Sequence, residues 1–170
     1  LVSDKPDSQE ICFVPDDDYA GFVEGYLDME PQEGEIRSIS GEILGKHKGV
    51  YHYTVGQRKG LGIALGHPVY VVGVDPKEQT VWVGEDKELF SHGLVASDFN
   101  YISGSPFQGG KSLQAKIRYA SPKVEAAAFP EGDSIRVEFN EPQRAVAPGQ
   151  AVVLYDGEQV LGGGTIEYGF

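Results

Sequence analysis

Short runs rich in β-branched and aromatic residues recur along this chain, and turn residues separate them. Two runs, 69–74 and 80–83, flank a polar turn that contains Pro76, so they predict a β-hairpin. Further strands are predicted at 113–119, 134–139, 151–155 and 164–168. Asp156-Gly157 predicts the turn between the last two. Strands at this spacing, without helices between them, predict a small barrel or sandwich in the C-terminal half.

One segment near the start has a helical period instead. Its apolar side chains fall on a single stripe: Tyr19, Phe22, Val23, Tyr26 and Leu27. Three aspartates at 16–18 precede this stripe and are expected to cap the first turn of the helix. We interpret them as a solvated cap and not as a metal site, because a hard cation needs further oxygen ligands.

Composition narrows the classes of function. The only cysteine, Cys12, excludes an internal disulfide and any multi-cysteine metal site. No apolar run approaches the ~18 residues that a membrane-spanning helix needs. With 26 acidic against 14 basic residues, the formal net charge is −12. This charge argues against nucleic-acid binding by bulk electrostatics, so any such contact must use local basic patches.

One basic patch is apparent between residues 45 and 63. Four of the 14 basic residues lie in it: Lys46, Lys48, Arg58 and Lys59. Tyr51 and Tyr53 are interleaved with them. Cations suit phosphates and aromatic rings suit unpaired bases, so the patch indicates a nucleic-acid surface. A β-hairpin with a solvated basic face accounts for the same composition equally well.

Two other segments could carry chemistry. Cys12 stands between Ile11 and Phe13, and its neighbours alone favour a small buried hydrophobic residue over a reactive thiol. Arg118 and Tyr119 place a guanidinium beside an aromatic ring, a pair suited to RNA, although an exposed strand would also contain them. The glycine run 162–164 indicates a bulge or tight packing more than a ligand site.

Taken together, these segments resemble the tRNA-specific 2-thiouridylases of bacteria and organelles. Enzymes of this family exchange the 2-oxygen of the wobble uridine for sulfur. The resemblance covers nearly the whole chain, with the motifs in the family's order and at about its spacing. The matching motifs are residues 7–14, 45–49, 53–63, 116–119, 148–150 and 161–164.

The resemblance implies a mainly β protein: a small β-rich central domain with one short helix, then a six-stranded β-barrel like the barrel domains of translation factors. The expected parts are a catalytic-cysteine segment at 1–13, a central domain at 14–88 and the barrel at 89–170. The weakly periodic interval 86–110 agrees with a boundary near its start. The family's N-terminal nucleotide-binding loop and its other catalytic cysteine are not found in this sequence. We therefore expect a fragment that is inactive by itself.

By the same resemblance, Cys12 corresponds to the family's persulfide-bearing cysteine. ATP adenylates the uridine in the full enzyme, and the persulfide then delivers sulfur. ATP is thus a co-substrate that this fragment is not expected to bind, and no metal is expected. Arg118, Tyr119 and Gln150 match tRNA contacts, with Lys46, Lys48, Arg58 and Lys59 as weaker candidates. The implied partners are tRNA and a sulfur-donor protein, with no membrane, in the cytoplasm.

Two other functions fit the residues. The first is a non-catalytic β-barrel module that binds RNA, with Cys12 as a core residue. The second is a thiol oxidoreductase, which is disfavoured because no second cysteine stands at Cys-x-x-Cys spacing.

Overall fold

The computed structural model describes residue 14 and residues 19–27 and 30–170. Cys12 and the three aspartates at 16–18 lie outside these residues. One α-helix is present in the described part, α1 (Tyr19–Leu27), over the predicted segment. The strands are β1 (Gly34–Ser38), β2 (Ile43–His47), β3 (Tyr70–Asp75), β4 (Thr80–Gly84), β5 (Phe90–Tyr101), β6 (Lys111–Lys116), β7 (Val124–Glu131), β8 (Ser134–Arg144), β9 (Ala151–Asp156) and β10 (Gln159–Gly169). Short 3₁₀ turns occupy Val50–His52 and Asp86–Leu89.

The first four strands form a small sheet in the order β2-β1-β4-β3. β3 and β4 pair antiparallel across residues 76–79, which confirms the predicted hairpin. β1 lies between β2 and β4, and it runs parallel to β4. The buried side chains of this sheet are Ile36, Val71, Val81 and Val83, and Val50 and Leu61 pack on them from the long connection between β2 and β3.

The remaining six strands close into a barrel in the order β10-β5-β8-β7-β6-β9, with antiparallel neighbours throughout. Its interior is filled by alternating residues of these strands, among them the fully buried Leu94, Ile135 and Leu154. The mainly β fold with a six-stranded C-terminal barrel is therefore confirmed. Among the described residues, no helix has the length and apolar character needed to cross a membrane.

Four strands were not predicted individually: β1, β2, β5 and β7. The omission of β5 matters most, because it is 12 residues long and pairs with both β8 and β10. Its pairing register shifts between Ser91 and Gly93, and Asp98 has a positive φ of 50°. Each irregularity interrupts the alternation of inward and outward side chains. The apolar residues of 86–110 therefore show only a weak period of two, although the interval contains a strand.

Helix α1 does not bury the whole of its predicted apolar stripe. Tyr26 is 78% exposed and Phe22 is 37% exposed, and their rings stack with centroids 5.8 Å apart. The helix is instead tied to the small sheet by polar contacts, since the Tyr51 hydroxyl donates to Glu24 Oε1 at 2.5 Å. This bond to a carboxylate raises the pKa of Tyr51 to about 12.

The glycine run 162–164 packs tightly, as its composition indicates. A Cβ on Gly164 would stand 2.6 Å from the Ser97 carbonyl oxygen and 3.0 Å from Phe99 Cδ2. We expect Gly164→Ala to destabilise the protein by about 1–3 kcal/mol, because the strand pair must separate to admit the methyl group. Denaturant unfolding measures the loss. Gly109→Ala is the matched control, because a Cβ there meets nothing closer than 3.9 Å. Equal stabilities of the two variants would contradict the tight packing.

Candidate nucleic-acid interface

The predicted site residues divide between two parts of the chain. Cys12 lies outside the described residues. Every predicted tRNA-contacting residue is described, and all of them are exposed to solvent. They are Lys46, Lys48, Arg58, Lys59, Arg118, Tyr119 and Gln150.

The described basic side chains fall into two groups by their partners. Six of them contact a carboxylate within 4.0 Å: Arg37, Lys87, Lys111, Lys123, Arg136 and Arg144. The other seven have no carboxylate partner among the described residues: Lys46, Lys48, Arg58, Lys59, Lys77, Lys116 and Arg118. All five basic residues predicted to contact tRNA are in the second group. None of these five cations is therefore committed to an ion pair within the described part of the chain.

Arg118 and Tyr119 lie in the loop after β6, because that strand ends at Lys116 and not at the predicted residue 119. Arg118 Nη2 donates to the Arg144 carbonyl oxygen at 2.9 Å, which anchors the guanidinium while leaving its other N–H groups exposed. Ser121 Oγ donates to the Arg118 carbonyl oxygen at 2.9 Å. The loop thus presents Arg118 from a fixed backbone.

The exposed ring near Arg118 belongs to Tyr119, which is 74% exposed. The Lys116 ammonium lies 5.5 Å from the centroid of this ring, within cation–π range. Two side chains of complementary character, a cation and a flat aromatic face, are therefore adjacent on the barrel surface. An unpaired base that stacks on the ring would bring its phosphate close to this cation.

Gln150 lies at a different connection, between β8 and β9. Its carbonyl oxygen accepts from the Ile166 amide at 2.8 Å, and Gly149 before it has a φ of 81°. The Gln150 side chain is exposed, and no hydrogen bond joins it to Arg118 or to the rest of the described chain. Gln150 is therefore placed for contact with a partner, but it is not part of the Arg118 loop.

Lys46 and Lys48 flank a buried histidine at the end of β2. His47 is only 3% exposed, and its Nε2 lies 3.0 Å from the Gln79 carbonyl oxygen. Because side chains alternate, the lysines on either side of His47 point to solvent. β2 ends at His47, and a 3₁₀ turn and a long loop follow it, so the basic segment is not the β-hairpin considered as an alternative.

The tyrosines of this segment are not exposed stacking surfaces. Tyr53 packs against the core of the small sheet, and its burial raises the pKa of its hydroxyl. Tyr51 is engaged with Glu24, and the ring of His52 lies 4.7 Å from its own. The interpretation of these two aromatic residues as base-stacking platforms is therefore not supported. Their spacing in the sequence gave no sign of how far each is buried.

The small sheet and the barrel meet at Arg144, the last residue of β8. Its guanidinium donates twice to Asp86 Oδ1, at 3.0 and 2.9 Å, and lies 5.1 Å from the Tyr70 ring centroid. The next residue, Ala145, donates its backbone N–H to the Leu89 carbonyl oxygen at 2.8 Å. Arg118 is thus held at the junction of the two sheets. Sequence reasoning missed Arg144, because its partners are 26 and 58 residues away.

Metal ligation has no candidate in the described part of the chain, where no three His, Cys, Asp or Glu side chains are grouped. The sequence also lacks the Gly-x-x-x-x-Gly-Lys-Ser/Thr loop that cradles nucleotide phosphates. The described surface therefore offers cations without a carboxylate partner and, beside one of them, the exposed ring of Tyr119. That chemistry suits a polyanion with bases, and the structure adds no group that would activate a substrate.

Two family models match this chain. Residues 20–85 match the tRNA methyl transferase PRC-barrel domain, and residues 91–166 match the aminomethyltransferase beta-barrel domain. These matches coincide with the small sheet with its helix and with the barrel.

Curated relatives match over nearly the whole chain. A tRNA-specific 2-thiouridylase of Acetivibrio thermocellus is 52% identical over 167 residues, which cover 98% of this chain and 46% of that protein. One of Symbiobacterium thermophilum is 51% identical, covering 98% of this chain and 43% of that protein. One of Desulfitobacterium hafniense is 48% identical, covering 97% of this chain and 47% of that protein. The chain thus spans about half the length of the relatives that it matches.

Proposed function

Since this chain belongs to the tRNA-specific 2-thiouridylase family, we propose that it forms part of an enzyme that replaces the 2-oxygen of the wobble uridine of tRNA with sulfur. In this proposal the chain supplies the sulfur-carrying cysteine and a tRNA-binding surface. The descriptions of the two matching family models name other reactions, methyl transfer and aminomethyl transfer. We base the proposed activity on the curated relatives instead, because about half of the aligned residues are identical between them and this chain.

The observation that carries the tRNA-binding part is the distribution of unpaired cations. A protein with a net charge of −12 binds a polyanion only where its positive charges are concentrated and not already neutralised. Arg118, Arg58 and Lys59 meet that condition. At physiological salt the Debye length is ~8 Å, so acidic groups farther away than this act weakly on a docked phosphate.

The proposed role of Cys12 follows from the chemistry of sulfur exchange. Its thiolate attacks the outer sulfur of a persulfide on a donor protein, so that the donor thiolate leaves and Cys12 carries the persulfide. The outer sulfur then replaces the adenylated 2-oxygen of the uridine, which leaves as AMP, while a second cysteine outside this sequence supplies the two electrons by forming a disulfide with Cys12. Thiolate attack on a sulfur–sulfur bond is the ordinary route of such exchange. Substitution of Cys12 in the whole enzyme tests this role.

ATP enters this proposal as a co-substrate of the whole enzyme. The family's N-terminal nucleotide-binding loop, of the Ser-Gly-Gly-x-Asp-Ser type, is not found in this sequence, so ATP is assigned to the part of the enzyme that this chain does not span. The chain alone is accordingly proposed to be inactive in tRNA thiolation. The proposed location of the enzyme is the cytoplasm, where its tRNA substrate and a reducing environment for thiols are found.

We expect Arg118→Ala to weaken binding of unmodified tRNA and to reduce the slope of log affinity against log salt by about one unit. The reason is that one phosphate contact, with its released counterions, is lost. Tyr119→Ala should cost ~1–3 kcal/mol of binding free energy with little change in slope, because a stacking surface carries no charge. Gln150→Ala should cost less than either. Filter binding at several salt concentrations measures all three.

Arg136→Ala is the matched control for this series. It removes the same charge from the barrel, but its guanidinium is already paired with Glu131 at 2.8 Å. Its affinity and salt slope should stay close to those of the unchanged protein. If Arg118→Ala behaves like this control, Arg118 does not contact tRNA in this protein.

The alternative function is a β-barrel module that binds RNA without chemistry. It shares the cationic surface and predicts the same behaviour of Arg118→Ala. The two functions differ only at Cys12, which the alternative makes dispensable for everything except stability.

A further inference from the structure

The turn between residues 54 and 60 is held by one side chain, that of Gln57. Its Oε1 accepts from the Thr54 amide at 3.0 Å, and its Nε2 donates to the Lys59 carbonyl oxygen at 3.0 Å. Its backbone N–H donates to the Thr54 carbonyl oxygen at 2.9 Å, and its carbonyl oxygen accepts from the Val71 amide at 2.9 Å. Both polar atoms of the side chain and both polar groups of the backbone are therefore engaged. Gln57 spans the turn on either side and attaches it to β3.

The same turn is seated against the barrel. Gly56 donates its N–H to the Val71 carbonyl oxygen at 2.8 Å and has a φ of 92°, which favours glycine. A Cβ at Gly56 would stand 2.9 Å from the Ala145 Cβ and 4.0 Å from Arg144 Nη1. No side chain fits between the turn and the end of β8. The turn consequently lies beside the residue whose carbonyl oxygen anchors Arg118.

Arg58 and Lys59 follow Gln57 directly. Both are exposed, and neither has a carboxylate partner among residues 14, 19–27 and 30–170. The Lys59 carbonyl oxygen accepts a hydrogen bond from Gln57 Nε2, which fixes the backbone here. The side chains of Arg58 and Lys59 therefore project from a constrained turn and not from a free loop. At the junction, Asp86 already accepts two hydrogen bonds from Arg144, so its carboxylate is paired with a cation of the barrel.

We propose that the 54–60 turn and Arg118 form one phosphate-binding surface across the junction of the small sheet and the barrel, in which Gln57 positions Arg58 and Lys59. The inference rests on the proposed function and deepens it. The ligand is the sugar–phosphate backbone of an RNA strand. Two groups of cations on either side of a junction, with Tyr119 exposed near one of them, suit an extended polyanion with bases better than a single phosphate group.

Gln57 is a positioning residue in this proposal, because it carries no charge and acts through its neighbours. A side chain that acts in this way is recognised by a double-mutant cycle. Its removal should weaken RNA binding when Arg58 and Lys59 are present and should have no further effect when they are absent. A general effect on stability would weaken binding in both backgrounds.

The experiment measures tRNA affinity of the whole 170-residue chain across a salt series. Arg58→Ala with Lys59→Ala should lower affinity about tenfold or more and reduce the salt slope by about two units. Gln57→Ala should lower affinity about threefold or more by itself and change nothing in the doubly substituted background. Gln57→Met provides a second variant of similar length, should the alanine variant fold poorly. Thermal unfolding of each variant serves as the structural control.

The joint surface is tested by hydroxyl-radical footprints of bound tRNA. Each set of substitutions should remove protection from particular nucleotides. The nucleotides exposed by Arg118→Ala should be neighbours, on one strand, of those exposed by the Arg58 and Lys59 substitutions. Loss at distant nucleotides would overturn the single surface. In the affinity series, substitution of Arg58 and Lys59 could leave the affinity for tRNA unchanged while Arg118→Ala still weakens it. That result would overturn the inference and leave the proposed function standing. Equal effects of the Gln57 variants in both backgrounds would overturn the positioning role. Failure of the unchanged chain to bind tRNA would overturn the inference together with the proposed tRNA-binding function.

Discussion

Cys12→Ser is expected to abolish tRNA thiolation, with a loss of at least about a thousandfold in rate. A serine hydroxyl has nearly the shape of a thiol, but its oxygen does not hold a transferable sulfur atom or take part in thiol–disulfide exchange. The assay uses a chimera in which this chain replaces the matching 46% of the Acetivibrio thermocellus relative, so that every other part of the enzyme is supplied. Mass spectrometry of digested tRNA counts 2-thiouridine per molecule.

Ser3→Ala is the matched control, because it changes one small polar side chain that lies before the 7–14 motif and is expected to keep full activity. Affinity for tRNA should be the same for the chimera and both variants, since Cys12 is proposed to act in sulfur transfer and not in binding. The chain alone should produce no 2-thiouridine. A Cys12→Ser chimera that retains activity within about tenfold of the unchanged one would favour the RNA-binding module without chemistry.

Leu154→Ala is expected to destabilise the barrel by about 2–5 kcal/mol. Leu154 is fully buried on β9, the strand that closes the barrel between β6 and β10. Its loss removes apolar contacts and leaves a cavity that neighbouring strands fill only in part. For a protein with a typical stability of about 5–15 kcal/mol, this is a large fraction of the total. Denaturant unfolding at equilibrium gives the value.

Leu65→Ala controls for the chemistry of the substitution. Leu65 lies in the loop before β3 with 36% of its surface exposed, so the same truncation there should cost less than about 1 kcal/mol. Similar losses at the two positions would mean that Leu154 is not packed in a closed core. The barrel would then not be the rigid support from which Arg118 is presented.

The strand pattern of the sequence indicated a β-rich C-terminal half but left a barrel and a sandwich open, and the six-stranded barrel was an implication of the family resemblance. Neither specified the pairing of individual strands. The β3–β4 hairpin was predictable because its two strands are adjacent in the sequence and a short turn of Pro76 and polar residues joins them. β5 was not, because a shift of register near Gly93 and the positive φ of Asp98 break its alternation. The parallel pairing of β1 with β4 joins residues about 45 apart, and nothing local in either strand specifies that partner.

The candidate site shows a similar division. The residue types at 118 and 119 indicated a cation beside an aromatic ring, and the structure places both on the surface. The composition of the basic segment did not reveal that Tyr53 packs inward or that Tyr51 is held by Glu24. The importance of Gln57 and Arg144 depends on contacts with Val71, Asp86 and Arg118, which only the folded chain brings together.

The most direct test of the central claim follows a labelled sulfur atom through the chimera. Cys12 is charged with radioactive sulfur by a cysteine desulfurase and a sulfur-carrier protein, the donor is removed, and ATP and unmodified tRNA are added. Label should leave Cys12 and appear in 2-thiouridine within a single turnover, in an amount equal to the sulfur lost from the protein. Label that remains on Cys12 while 2-thiouridine forms without it would contradict the role of this chain as the sulfur carrier.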